Sequence, residues 1–207
     1  MTTLTIDDFT TETTSHAPDR ILPQKAGRAL WAPMFAMSLV GFAVGIGLAI
    51  TRANMISAGD DPLQIAAYAQ YVPAAMFFGF AMVFAAISFA IAKILGEFRV
   101  GGGSVQEAAH SDVKTLKMPG TAKAFIIGMM MAMMIILAAV VLHVIAGVAI
   151  AGGGVDPILA EQWTIWLEAA RRIGTVLYLF SIMLGLVTIA TVIRFQSFRI
   201  REVAHTE

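Results

Sequence analysis

Four stretches of this chain, roughly Ala29–Ile50, Val72–Leu95, Ala124–Ile150 and Ile173–Ile193, carry between them one charged residue, Lys93. Each exceeds the roughly 18 apolar residues that mark a membrane-crossing helix. Inside hydrocarbon every backbone amide and carbonyl needs a partner within the protein, which leaves helices and closed barrels as the spanning structures. Continuous apolar runs of this length fit helices and not the alternating pattern of a barrel strand. The composition agrees: 58% of residues are hydrophobic and 14% charged, against about 45–50% and about a quarter in soluble domains. The expected fold is an all-α integral membrane protein with four transmembrane helices. Too little chain lies outside them for a soluble domain.

The partition follows from the spans. Residues 1–27 form an N-terminal arm, 28–99 a first hairpin, 100–121 a connecting loop, 122–199 a second hairpin and 200–207 a tail. The arm is rich in threonine, with Asp7, Asp8 and Glu12 among its first residues. It lacks the basic start and apolar core of a signal peptide. It is expected to be a disordered, solvated segment, or else a strand that orders on a partner through Ile6 and Phe9. Within the 96–120 loop, Gly101–Gly103 suggest a hinge and Ser104 a cap for a short helix with Glu107 three residues on.

Basic residues set the orientation. Placing the N-terminus inside puts Arg20, Lys25, Arg28, Lys93, Arg99, Lys114, Lys117, Lys123, Arg194, Arg199 and Arg201 on the inner side, and only Arg52, Arg171 and Arg172 outside. Both termini are therefore expected in the cytoplasm and the chain in the cell (inner) membrane.

The chain resembles itself at an offset of 95 residues. Met34 falls on Met129, Asp61–Pro62 on Asp156–Pro157, Gly79 on Gly174 and Arg99 on Arg194, while Tyr68 and Tyr71 fall on Trp163 and Trp166. Each copy holds an even number of spans, so the copies insert in the same orientation, as a parallel repeat of two tandem helical hairpins. Each Asp-Pro reads as a helix start, because proline suits the first turn and a preceding aspartate caps free amides. Short interfacial helices are expected there on the outer side. Their Tyr68, Tyr71, Trp163 and Trp166 suit the headgroup layer, and with Arg171 and Arg172 they outline a candidate lipid or quinone contact.

Lipid tails remove the hydrophobic drive for helix association, so packing is expected at small residues. Gly41, Gly45 and Gly47 supply them in the first span. Gly128, Ala132, Ala139, Ala146 and Gly153 are expected to form one stripe in the third.

Two features suggest metal chemistry. Met129, Met130, Met131, Met133 and Met134 are clustered in the third span, and His143 follows. Met130 and Met134 form an MxxxM, with Gly147 after twelve intervening residues. This is similar to the MxxxM-x12-GxxxG pattern of the high-affinity copper-uptake transporters, and thioethers do suit Cu(I). The sequence departs from that pattern in having Ala151 at the second glycine, four spans instead of three and no methionine-rich outer segment. Methionine also fills irregular apolar gaps, and packing is the reading adopted. At ~1.5 Å per residue, roughly 14–20 Å separates the cluster from His143, so the two cannot share an ion within one chain. A haem on His143 needs a second axial ligand, and the repeat supplies Leu48 at the matching position.

Cysteine is absent, which removes disulfides and thiolate chemistry. Zero net charge argues against nucleic acid. No acid–base pair, nucleophile arrangement or phosphate loop is present, and no carboxylate lies within a span for ion coupling. The expectation is a non-catalytic membrane subunit or scaffold in contact with lipid and other membrane subunits, within a redox or metal-dependent complex. The alternative is a small transporter or channel, most specifically for copper(I).

Overall fold

The computed structural model describes residues 9–109 and 112–204. Four long helices dominate: α1 (Leu22–Ala58), α2 (Pro62–Ala108), α3 (Gly120–Ala151) and α4 (Pro157–Ala204). All four are long and apolar enough to cross a membrane, with mean hydropathy between 2.1 and 2.8 over their most apolar windows. At 47 and 48 residues, α2 and α4 are about twice the roughly 20 residues that a span needs. Two short strands, β1 (Thr11–Thr14) and β2 (Val113–Leu116), pair antiparallel with Thr11 opposite Leu116 and Thr14 opposite Val113.

The α1–α2 and α3–α4 connections are alike in kind. At the end of α1 the amide of Asp60 bonds to Met55 O and that of Gly59 to Ile56 O; at the end of α3, Gly154 bonds to Ala149 O and Gly153 to Ile150 O. This paired pattern needs a left-handed residue just past the helix, and Gly59 (φ 71°) and Gly153 (φ 68°) provide it. The following helices then start on matched caps: Asp61 Oδ1 accepts from the Leu63 amide at 3.0 Å, and Asp156 Oδ1 from the Ile158 amide at 2.8 Å. The glycine motifs are 94 residues apart and the aspartate caps 95, so the second connector is one residue longer and the repeat is not strictly gapless.

The chain resolves into two compact units. One comprises Ala32–Ala86 and Gly128–Phe180. Its core is Ala81, Met82, Ala132, Ile136 and Tyr178, flanked by Met34, Phe77, Phe84, Met129 and Met133. Close approach depends on glycine. A Cβ on Gly41 would lie 2.9 Å from Gly79 Cα, and one on Gly174 would lie 2.5 Å from a side-chain carbon of Ile136. Positions 41 and 79 match 136 and 174 in the repeat, so α1–α2 and α3–α4 touch at equivalent places. Gly45 packs on Met76, whereas Gly47 meets open space and takes no part in packing.

The other unit comprises Met1–Trp31, Ile87–Ile127 and Ser181–Glu207. A two-stranded ribbon is marginal alone, and this one is held by its surroundings. Phe9 packs on Phe195 and Phe198 with ring centroids 5.6 Å apart in each case, while Val113 and Thr115 are buried. Gln106 Oε1 accepts from the Lys114 amide at 3.1 Å and from Arg199 Nε at 2.7 Å, tying α2 to β2 and α4. Lys93 rests its ammonium over the Trp31 ring, 5.0 Å from the centroid.

Several local expectations are corrected. Within the arm expected to be disordered over 1–27, the described residues from 9 onward hold β1 and the start of α1 at Leu22, because Thr11–Thr14 find a strand partner about a hundred residues away. Gly101–Gly103 are not a hinge but part of α2. Ser104 does not cap a new helix; its Oγ bonds back to Val100 O at 3.1 Å. The short interfacial helices are the first turns of α2 and α4, continuous with the spans. The 200–207 tail begins with helical residues as far as Ala204. Ile6, the second anchor expected for the arm, and His110, a candidate metal ligand with Glu107 and Asp112, lie outside the described residues.

Candidate functional site

The helix that carries the methionines shows two faces. Met129 and Met133 turn toward the core, where Met133 Sδ accepts a hydrogen bond from Tyr178 Oη at 3.2 Å. Tyr178 in turn stacks on Phe84 with centroids 5.0 Å apart. Met130 and Met134 point outward, 58% and 70% exposed. The MxxxM pair therefore offers its sulfurs to whatever surrounds the helix and not to the interior of this chain. Ala132, Ala139 and Ala146 are buried along the opposite stripe, and Gly128 is half-buried.

His143 faces the interior between helices and not the outward surface. It is fully buried, and Nδ1 lies 2.7 Å from Gln70 Oε1. The amide oxygen only accepts, so Nδ1 carries the proton. Gln70 Nε2 donates onward to Thr164 Oγ1 at 2.5 Å. One chain of hydrogen bonds thus links α3, α2 and α4. Nε2 of His143 is buried with no partner. Of this set only His143 was a candidate from sequence. Gln70 and Thr164 sit outside the apolar stretches, where polar residues are unremarkable, and only the burial of Gln70 and the hydrogen bonds mark them.

Beside them, Arg171 is also buried. Its guanidinium lies over the Phe77 ring at 4.3 Å and pairs with Glu168, which also binds Arg172 Nε at 2.9 Å. Arg172 is exposed and Trp166 strongly so. Trp163 is half-buried, as are Tyr68 and Tyr71, which meet edge to face at 5.8 Å. Tyr71 closes against Gly147, where a Cβ would overlap its ring. The aromatic and arginine candidates therefore split: Trp166 and Arg172 face outward, while Tyr71 and Arg171 serve packing.

Gln70 and Thr164 also line an open pocket of about 490 Å³ with Arg52. A separate apolar groove of about 410 Å³ runs past Gly41, Val44, Tyr71 and Val140, and His143 is not among its lining residues. Among the described residues, no three His, Asp or Glu side chains gather into a metal-binding group. Of the ligand candidates read from the sequence, His143 presents a buried Nε2, and Met130 and Met134 present outward thioethers.

Comparison with family models, with curated proteins and with solved structures finds no match.

Proposed function

We propose that this chain is a non-catalytic integral membrane subunit or scaffold that anchors or assembles a larger membrane complex, of a redox or metal-dependent kind, in the cell membrane with both termini cytoplasmic. The observation that carries this reading is uneven burial. The apolar window of α2 is 44% buried, but those of α1, α3 and α4 are only 17%, 22% and 22% buried. Three helices leave most of their apolar surface uncovered by this chain, and lipid or neighbouring subunits would cover it. Several polar groups of the helices tie the chain to itself, as in His143–Gln70–Thr164 and the 3.0 Å contact between Thr188 and Thr121 hydroxyls. That leaves little polar machinery for moving a solute. The test is gentle solubilisation of native membranes. The subunit reading expects other chains in fixed ratio with this one, and no solute flux when the chain is reconstituted alone.

A copper(I) path is the second reading, and one observation favours it. Met130 and Met134 project from the same outward face of α3, so copies of the chain around a symmetry axis would bring their thioethers together. Copper uptake into vesicles holding only this protein decides between the two.

A further inference from the structure

We infer that a cavity in the unit containing the chain termini is a receptor for a phosphate-type oxyanion, gripped by Arg99 and Arg199. The cavity has a volume of about 100 Å³. A water needs at least roughly 10–15 Å³ measured in this way, so the space holds a small polyatomic ion with some water. The Gln24, Thr115, Thr188 and Gln196 side chains join the two arginines in its lining, which includes no carboxylate.

The arginines are short of partners. Arg199 is 2% exposed. Its Nε donates to Gln106 and its Nη1 reaches Gln196 at 3.4 Å, but Nη2 is buried with no partner. Arg99 Nε is buried in the same condition. Glu202, whose charge acts on Arg199, is already paired with Lys114. Glu202 thus divides its charge between Lys114 and Arg199, and the cavity wall stays net positive. An uncompensated buried charge costs several kcal/mol, and guanidinium forks match phosphate oxygens in a paired geometry that few other anions use as well. An oxyanion in this space would satisfy both arginines at once.

The backbone is shaped to the same end. A Cβ on Gly102 would overlap both Gln196 Oε1 and Arg199 Nη1. A helical glycine is costly relative to alanine. Here it admits the guanidinium to its place. The shared chemistry is a phosphate group, which can come from free inorganic phosphate or from the headgroup of an anionic phospholipid.

The experiment uses the full chain in detergent and in nanodiscs. Inorganic phosphate is titrated at constant ionic strength against the detergent-solubilised protein. In parallel, nanodiscs of phosphatidylcholine alone are compared with nanodiscs containing phosphatidic acid, and thermal unfolding is followed throughout. Stabilisation in the phosphate arm identifies a free ion; stabilisation confined to the phosphatidic acid arm identifies the headgroup. In either case Arg199→Gln and Arg99→Gln should weaken the response about tenfold or more, as expected for loss of a charge-assisted bond. Arg194→Gln, at an exposed position outside the cavity, should leave it unchanged. Should Arg199→Gln fail to fold, the half-buried Arg99 position carries the test alone. The proposal is overturned if neither arm stabilises the protein, or if Arg99→Gln responds as the wild type does.

Discussion

Nδ1 of His143 lies 2.7 Å from Oε1 of Gln70, so a ring on α3 donates to an amide on α2 between two buried side chains. Removing one partner strands the other. Gln70→Leu leaves the His143 ring without either of its nitrogens bonded, and the expected cost is about 1–3 kcal/mol. Adding His143→Leu should recover part of that loss, because both polar groups are then gone. A double-mutant cycle by unfolding in mixed micelles should give a coupling of roughly 0.6 to 2 kcal/mol. Additive costs would mean that the contact contributes nothing to stability.

Glycine contacts divide into those that permit approach and those that do not. Gly79→Ala places a Cβ 2.8 Å from the Phe42 ring, and Gly41→Ala one 2.9 Å from Gly79. Each should destabilise by about 1–3 kcal/mol, the usual cost of overpacking. Gly47→Ala meets open space and should be neutral or slightly stabilising. Ala139→Leu, on the buried stripe, should lower the yield of assembled protein by pushing helices apart. Equal melting temperatures for Gly41→Ala and Gly47→Ala would contradict this packing.

Methionine exchange separates packing from ligation. Met130→Leu with Met134→Leu alters two outward side chains at similar volume, at an expected cost under about 1.5 kcal/mol per site. Assembly, abundance and bound metal should be unchanged. Met133→Leu is expected to be the worse substitution, since it removes the acceptor of the Tyr178 hydroxyl. Loss of bound copper from the double variant, with normal assembly, would instead favour the metal path.

Acid should release the arm. Glu107, beyond the apolar part of α2, accepts from the Ala17 amide at 3.1 Å and pairs with His16 Nδ1 at 3.2 Å. These bonds, the Ala17 amide first, hold its carboxyl below the ordinary value of 4.5. A carboxylate with a depressed pKa adds stability above its unfolded value and loses it as pH falls through the folded one. Proteolysis between β1 and α1 should therefore stay slow at pH 7 and accelerate below about pH 4.5. Glu107→Gln should cut the difference. A cleavage rate independent of pH and of this substitution would exclude the anchor.

Much of the fold is written locally. The four spans follow from apolar length alone, and Asp61 and Asp156 could be read as caps because an Asp-Pro start has a mechanism within four residues of chain. What could not be read depends on distant partners. The Gly101–Gly103 run has the composition of a hinge, and its helical state becomes intelligible only when Gln196 and Arg199 are seen to need the missing Cβ at Gly102. The threonines of β1 pair with residues near 115, and no local pattern signals a partner so far away. The His143–Gln70–Thr164 chain is hidden for the same reason: each residue is ordinary where it stands, and only the hydrogen bonds between helices make the three a unit.

The subunit reading is tested most directly by native mass spectrometry of the protein released from its own membranes in mild detergent. The subunit reading, in which neighbouring chains and lipid share the uncovered apolar faces of α1, α3 and α4, predicts a heteromeric particle with this chain held in fixed ratio to other membrane chains. A particle containing this chain alone, as a monomer or as a ring of identical copies, would contradict the account and return the transporter reading to first place.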